Sequence, residues 1–226
     1  DNMSMKPRKK SDSNKKWMSD RRDRRITIAP EYHLIVTEGT KTEPQYFEGL
    51  KEDINHLYRG RISIVIEGVG QGANTLTLLE RAQKIAEKDP DKYKHIWLAY
   101  DKDDFPKDDF DNTYSKCKSL SGNGNSVLHH ALWSNECIEY WFLLHFMALD
   151  SAIHRKEEYY PKLTECLGSK YEKNREDIYT LLKPNIKKAI NNAQRIAGDN
   201  KGLPPSQCTP GTAVYEIFEM LESYLS

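Results

Sequence analysis

Two short apolar runs end abruptly on acids, and this constrains the fold more than any other feature of the chain. Leu34-Ile35-Val36 leads through Thr37 into Glu38-Gly39-Thr40-Lys41-Thr42-Glu43, and Ile96-Trp97-Leu98-Ala99-Tyr100 stops at Asp101-Lys102-Asp103-Asp104. Continuous apolar runs of this length read as strands covered on both faces. Ligands of open α/β sheets bind just beyond the carboxyl ends of such strands. Carboxylates gathered there without matching cations need a hard divalent ion, Mg²⁺ or Mn²⁺. The pattern points towards phosphate chemistry.

Between and after these runs, strands alternate with helices. Tyr32 to Thr37 is the first expected strand, and a helix follows from Thr42 with Pro44 in its first turn, where proline is tolerated. Arg61 to Glu67 is the second strand, and Gly68-Val69-Gly70-Gln71-Gly72 is a flexible loop. Asn74 is placed to cap a helix carrying Leu76, Leu79, Ala82 and Ala86. Lys94 to Tyr100, a helix from Asp108 to Leu120, a strand from Ser126 to Leu132 and a strongly apolar helix from Asn135 to Leu149 complete the series. The alternation argues for an α/β fold with a mostly parallel sheet flanked by helices. Residues 156–226 show helical stretches, Lys183 to Ala197 and Thr212 to Leu225 among them, and no convincing strand. Three parts are expected: a flexible basic arm (1–28), the α/β domain (29–150) and a helical C-terminal extension packed on it (151–226).

The chain of 226 residues carries equal numbers of basic and acidic side chains, but they are unevenly spread. Residues 1–25 hold ten Lys or Arg against four Asp, a surplus of six that the remainder balances with a deficit of six. A basic arm on an acidic body suits contact with nucleic acid, and it equally suits a solvated tail. No apolar run approaches the roughly 20 residues needed to span a bilayer. The longest, Ile138 to Leu149, is broken by Glu139 and His145. The polar start has no apolar core segment, so no secretory signal is expected. Cys117, Cys137, Cys166 and Cys208 lack CxxC spacing and read as thiols of a reducing cytoplasm.

The candidate site residues follow from this frame. Glycine at 39 allows close approach of a ligand, and Lys41 and Thr42 stand where a helix start attracts phosphate. The GxxxxGK[ST] spacing of a phosphate loop is absent. Glu38 and Glu43 have an alternative as acids of a turn and a first helical turn, where they are favourable. In Asp101-Lys102-Asp103 the alternate carboxylates of an extended segment face one way, towards one ion; a solvated acidic loop is the alternative. Glu139 lies among Ile138, Tyr140, Trp141 and Phe142 and needs a partner if buried: a metal, which makes it a further ligand, or Lys41. His145 reads as a core or supporting histidine, and at most one ring of His129-His130 can face the site. Lys187 and Lys188, with Arg195, give the 183–197 helix a basic side that tracks a nucleic-acid backbone or is simply solvated.

The order strand-Glu-Gly, βαβ, strand-Asp-x-Asp resembles a Toprim domain, the fold of topoisomerases, primases and OLD-type nucleases. More closely, Glu38-Gly-Thr-Lys-Thr-Glu-Pro-Gln-Tyr-Phe47, Asp101-Lys-Asp103 and Glu139-Tyr-Trp-Phe-Leu-Leu-His-Phe146 resemble the RloB family, which includes the abortive-infection protein AbiLii. The resemblance covers roughly residues 30 to 220. This chain departs from the family pattern in having Ile138 where Phe is usual and Asn135-Glu136 where Asn-Pro is usual. The resemblance implies a Toprim-like nuclease that cleaves DNA or RNA in antiphage, abortive-infection or restriction-linked defence. It also implies a partner AAA/ABC-type ATPase, with self-association left open. Glu38, Asp101 and Asp103 would bind Mg²⁺ and organise cleavage, Glu38 serving as general acid or base. A non-catalytic module that binds nucleic acid or the ATPase, and an enzyme acting on a nucleotide or another phosphoanhydride, remain the competing classes.

Overall fold

The structure, a computed structural model, describes residues 29–66, 75–102, 106–122, 124–148 and 155–225. The basic arm, the 68–72 loop, Asn74, Asp103 and Asp104 lie outside the described residues.

The strands are β1 (His33–Thr37), β2 (Ile62–Ile66), β3 (His95–Asp101), β4 (Leu128–Asn135) and β5 (Gly211–Thr212). The helices are α1 (Thr42–Leu57), α2 (Thr75–Ala86), α3 (Lys107–Gly122), α4 (Glu139–Leu144), α5 (Lys156–Leu167), α6 (Ile178–Leu182), α7 (Ile186–Asp199) and α8 (Tyr215–Leu221). The sheet order is β2-β1-β3-β4-β5. The first four strands run parallel, and β5 is antiparallel to β4. The chain passes from β1 to β2 on one side and then returns to add β3 on the other side of β1. The gap beyond the carboxyl ends of β1 and β3 is therefore the topological switch point, where open α/β sheets place their ligands.

Side-chain alternation divides the strands between two cores. Leu34, Val36, Ile96, Leu98 and Ala131 meet Leu78, Leu79 and Ala82 of α2 and Phe110 and Cys117 of α3. Ile35, Trp97, Ala99 and Leu132 face the other way, onto α1 and α4. The helices after residue 155 add Tyr159, Leu163, Ile178, Leu182, Ile190 and Phe218 to this second cluster. Each large apolar side chain so enclosed contributes about 1.5–3 kcal/mol.

The sequence expectation departs from the structure at α4, β4, β5 and the last helix, which starts at Tyr215 because Thr212 belongs to β5. The helix expected from Asn135 starts only at Glu139 and ends at Leu144. Strand β4 continues to Asn135 because Asp101 of β3 pairs with Ser134, and β5 pairs with Ser134 and Asn135 from the other side. The backbone N–H of Lys102 also donates to the carbonyls of Ser134 and Glu136, at 2.9 and 3.0 Å, and holds this end of β4 extended. β5 itself was not expected: two residues carry no periodic signal, and they become a strand only through β4. The peptide bond between Asn135 and Glu136 is cis. Glu136, in the place of the family's usual proline, accepts the backbone N–H of Lys156 at 3.0 Å and so meets the first turn of α5.

Candidate functional site

At the switch point lies an open cleft of about 220 Å³, lined by Glu38, Gly39, Thr40, Lys41, Thr42, Glu43, Asp101, Glu139 and Lys173. Four carboxylates from three parts of the chain meet there. Glu38 follows β1 directly, and its N–H donates to the carbonyl of Ala99 at 3.0 Å, which fixes it beside β3. The Thr37 hydroxyl donates to the carbonyl of Gly39 at 3.0 Å and closes the turn. Asp101 ends β3 and accepts a backbone hydrogen bond from Ile138. Glu139 opens α4 and is 1% exposed; Glu43, in the first turn of α1, is 6% exposed. Glu38 and Asp101 are partly exposed, and Lys41 and Lys173 are exposed at the rim.

These acids perturb one another. Burial first, then the charges of Glu43, Glu139 and Glu38, push the Asp101 carboxyl well above its ordinary range. Burial also raises Glu43, to about 7; a backbone hydrogen bond opposes this, the charges of Glu139 and Glu38 add to it, and Lys173 relieves it in part. Like charges in a poorly hydrated space disfavour ionisation. Among the described residues no three acidic, histidine or cysteine side chains are gathered as a formed metal shell. The set of side chains nonetheless suits a hard cation: all four candidate ligands are carboxylates, and their mutual repulsion is what a divalent ion would relieve.

Gly39 serves space, not backbone twist. It does not have a positive φ. A Cβ built on Gly39 would overlap the Glu43 carboxylate, which lies against the glycine. The Glu-Gly pair thus admits a second acid, Glu43, to the cleft.

Glu139 takes its hydrogen bond from the Tyr171 hydroxyl at 3.0 Å, and among the described residues no ion pair joins it to Lys41. Tyr171 and Lys173 come from the segment after α5, which has no periodic signal. Neither was foreseen, whereas Glu43 was expected either in the acidic cluster at the end of the first strand or as an acid of the first helical turn. The Thr42 hydroxyl donates to the carbonyl of Lys173 at 2.9 Å, so its side chain ties this segment to the start of α1. Burial opposes the Lys173 ammonium, but a hydrogen bond to Tyr160 and the charge of Glu139 outweigh it and hold the group above the ordinary lysine range.

Other candidates lie elsewhere. Asp103 is outside the described residues. Lys187 and Lys188 do not line the cleft; Lys188 donates to the carbonyl of Phe146, and Lys187 faces Glu222 at 3.8 Å. His145 is buried, its Nδ1 bonded to the carbonyl of Trp141 at 3.0 Å. Neither His129 nor His130 lines the cleft, because β4 is longer than expected and both sit near its start. His130 stacks on Trp97 at 3.8 Å and meets His95 at 3.0 Å, at the opposite end of the strands. Asp111, from the acidic run after Asp103, accepts the N–H and hydroxyl of Ser206 at 2.8 and 2.6 Å.

Fold and cleft together define an α/β protein with an acidic site at a topological switch point. The family model described as RloB-like protein matches residues 33–221, and the chain belongs to that family. No curated protein and no solved structure matches it. No helix among the described residues is long and apolar enough to cross a membrane.

Proposed function

We propose that the cleft is a Toprim-like, divalent-metal-dependent phosphodiesterase site acting on DNA or RNA, in a defence system that also uses a partner ATPase. One observation carries the reading: Glu38, Glu43, Asp101 and Glu139 converge beyond the ends of β1 and β3 with two lysines at the rim. Mg²⁺ or Mn²⁺ held by Glu38, Asp101 and Glu139, with Glu43 beside them, would activate water and neutralise charge on the phosphate. The protein's own contributions are orientation and charge. Tyr171 fixes the Glu139 carboxylate, Gly39 makes room for Glu43, and Lys41 stands exposed at the rim. Glu38, partly exposed at the end of β1, is placed to hold or move a proton.

The test is cleavage of labelled single- and double-stranded DNA and RNA in Mg²⁺ or Mn²⁺, with and without the ATPase. The wild type is expected to cleave at least one substrate, and Asp101→Asn and Glu38→Gln to lose about 100-fold or more. Absence of cleavage under every condition would sink the proposal. A second reading is a non-catalytic module that binds nucleic acid or the ATPase, with the exposed Lys41 and Lys173 as contacts. It predicts that Asp101→Asn binds its partners as the wild type does and that no substrate is cut.

A further inference from the structure

Resting on that reading, we infer that Lys173 is a phosphate-binding residue of the cleft, brought to the chemistry by the C-terminal helical region. The cleft is layered. Glu139 and Glu43 are buried at its floor, Asp101 and Glu38 are partly exposed above them, and Lys173 lies exposed at the mouth. The charge of Lys173 reaches the buried Glu43 and Glu139. The residue itself stands on the solvent side of these acids, at the edge of the cleft. An anion lying between floor and rim meets cation on one side and carboxylate-held charge on the other, which is the setting a phosphodiester requires.

Its position is built rather than incidental. The Thr42 hydroxyl holds the Lys173 carbonyl, and the Lys173 ammonium lies 5.9 Å from the centre of the Tyr160 ring. Two residues earlier, Tyr171 bonds the Glu139 carboxylate. One segment therefore orients an acid of the floor and supplies a cation to the rim. A compact ammonium with three donors suits non-bridging phosphate oxygens as a point charge.

The experiment compares the wild type with Lys173→Ala and Lys173→Arg. Binding of a 5′-labelled single-stranded RNA and DNA is followed by fluorescence anisotropy in Ca²⁺, across a salt series. Single-turnover cleavage is measured in Mg²⁺, and Mn²⁺ affinity by titration. Lys173→Ala is expected to bind about 10-fold more weakly, with a salt slope shallower by about 0.7–0.9. Its cleavage should fall about 100-fold, a typical loss for one transition-state contact. Mn²⁺ affinity should stay within twofold, and Lys173→Arg should restore most of both losses. Unchanged binding and salt slope in Lys173→Ala would overturn the inference, and so would a loss traced to weaker Mn²⁺ binding, which would make the lysine a partner of the acids. If the wild type binds but does not cut, the nuclease reading fails while the binding comparison still decides the role of Lys173. If it binds neither polymer, both fall.

Discussion

The indole N–H of Trp141 donates to the hydroxyl of Tyr46 across 2.8 Å, in full burial. The two residues are 95 positions apart, one on α1 behind the Glu38-Gly39 turn and one on α4 behind Glu139. The bond joins two of the three chain segments that supply the acids. Around it Tyr46 meets Phe142, Tyr179 and Phe218 at ring-centre distances of 4.8, 5.7 and 5.6 Å, and Trp141 stacks on Phe218 at 5.4 Å. The aromatic residues of both segments are thus a single packing unit beneath the cleft.

Replacing Tyr46 with Phe keeps the ring and orphans a buried N–H. The expected cost is about 1–3 kcal/mol, read as a fall in Tm of roughly 2–4 °C per kcal/mol in a chain of this size. Trp141→Phe removes the donor as well, so the double variant should lose less than the two single losses added. Strict additivity in a double-mutant cycle would show that the bond contributes nothing.

Gly39→Ala tests the space that the Glu43 carboxylate occupies. The new methyl must displace that carboxylate, while the backbone itself tolerates alanine. Loss of Mg²⁺ or Mn²⁺ response comparable to that of Glu43→Gln is expected, with circular dichroism unchanged. A wild-type metal response in the Gly39→Ala variant would remove Glu43 from the site.

Glu43 also predicts a pH effect on metal-free protein. Its folded-state pKa is raised to about 7 from an ordinary 4.5, so its contribution to stability is full below 4.5 and is lost as the pH rises through about 7. In EDTA, urea-unfolding stability should fall across that window by an amount on the order of 3 kcal/mol. Glu43→Gln should flatten the fall and raise stability at pH 8, and a divalent ion should restore the wild type. A slope unchanged by Glu43→Gln would refute the assignment.

The opposite end of the sheet titrates the other way. Burial, helped by neighbouring histidines, lowers His33 to about 3 and His130 to about 4, and burial lowers His95 despite its bond to Glu31. These rings are neutral in the fold and take protons on unfolding. Stability from this cluster is full above about 6.5 and is lost as the pH falls towards 3–4. His130→Gln, measured in the Glu43→Gln background to remove the opposing trend, should shift the acid-unfolding midpoint downwards. No shift would show that the stack does not control acid stability.

The strand ends were legible because each apolar run stops on an acid, and the stop marks the carboxyl end of the strand. Glu38 and Asp101 could therefore be placed from sequence, and Glu139 by its apolar neighbours. Glu43 was left between the acidic cluster and a helix-turn role because only the packing against Gly39 shows where its carboxylate goes. Tyr171 and Lys173 reach the cleft through tertiary contacts alone, in a segment whose local pattern carries no trace of its destination. The extent of β4 was underestimated for a related reason: its last residues are polar, and pairing with β3 and β5 outweighs their propensity. His129 and His130 were misplaced with it.

The aromatic unit beneath the cleft has a consequence for the order in which the protein matures. Phe218 touches both Tyr46 and Trp141, so the support behind Glu43 and Glu139 stays incomplete until translation has passed residue 218. The strands that carry Glu38 and Asp101 are synthesised long before. A nascent chain therefore emerges with its acids in sequence but without the surface that gathers them, and that surface closes only once Phe218 has been added.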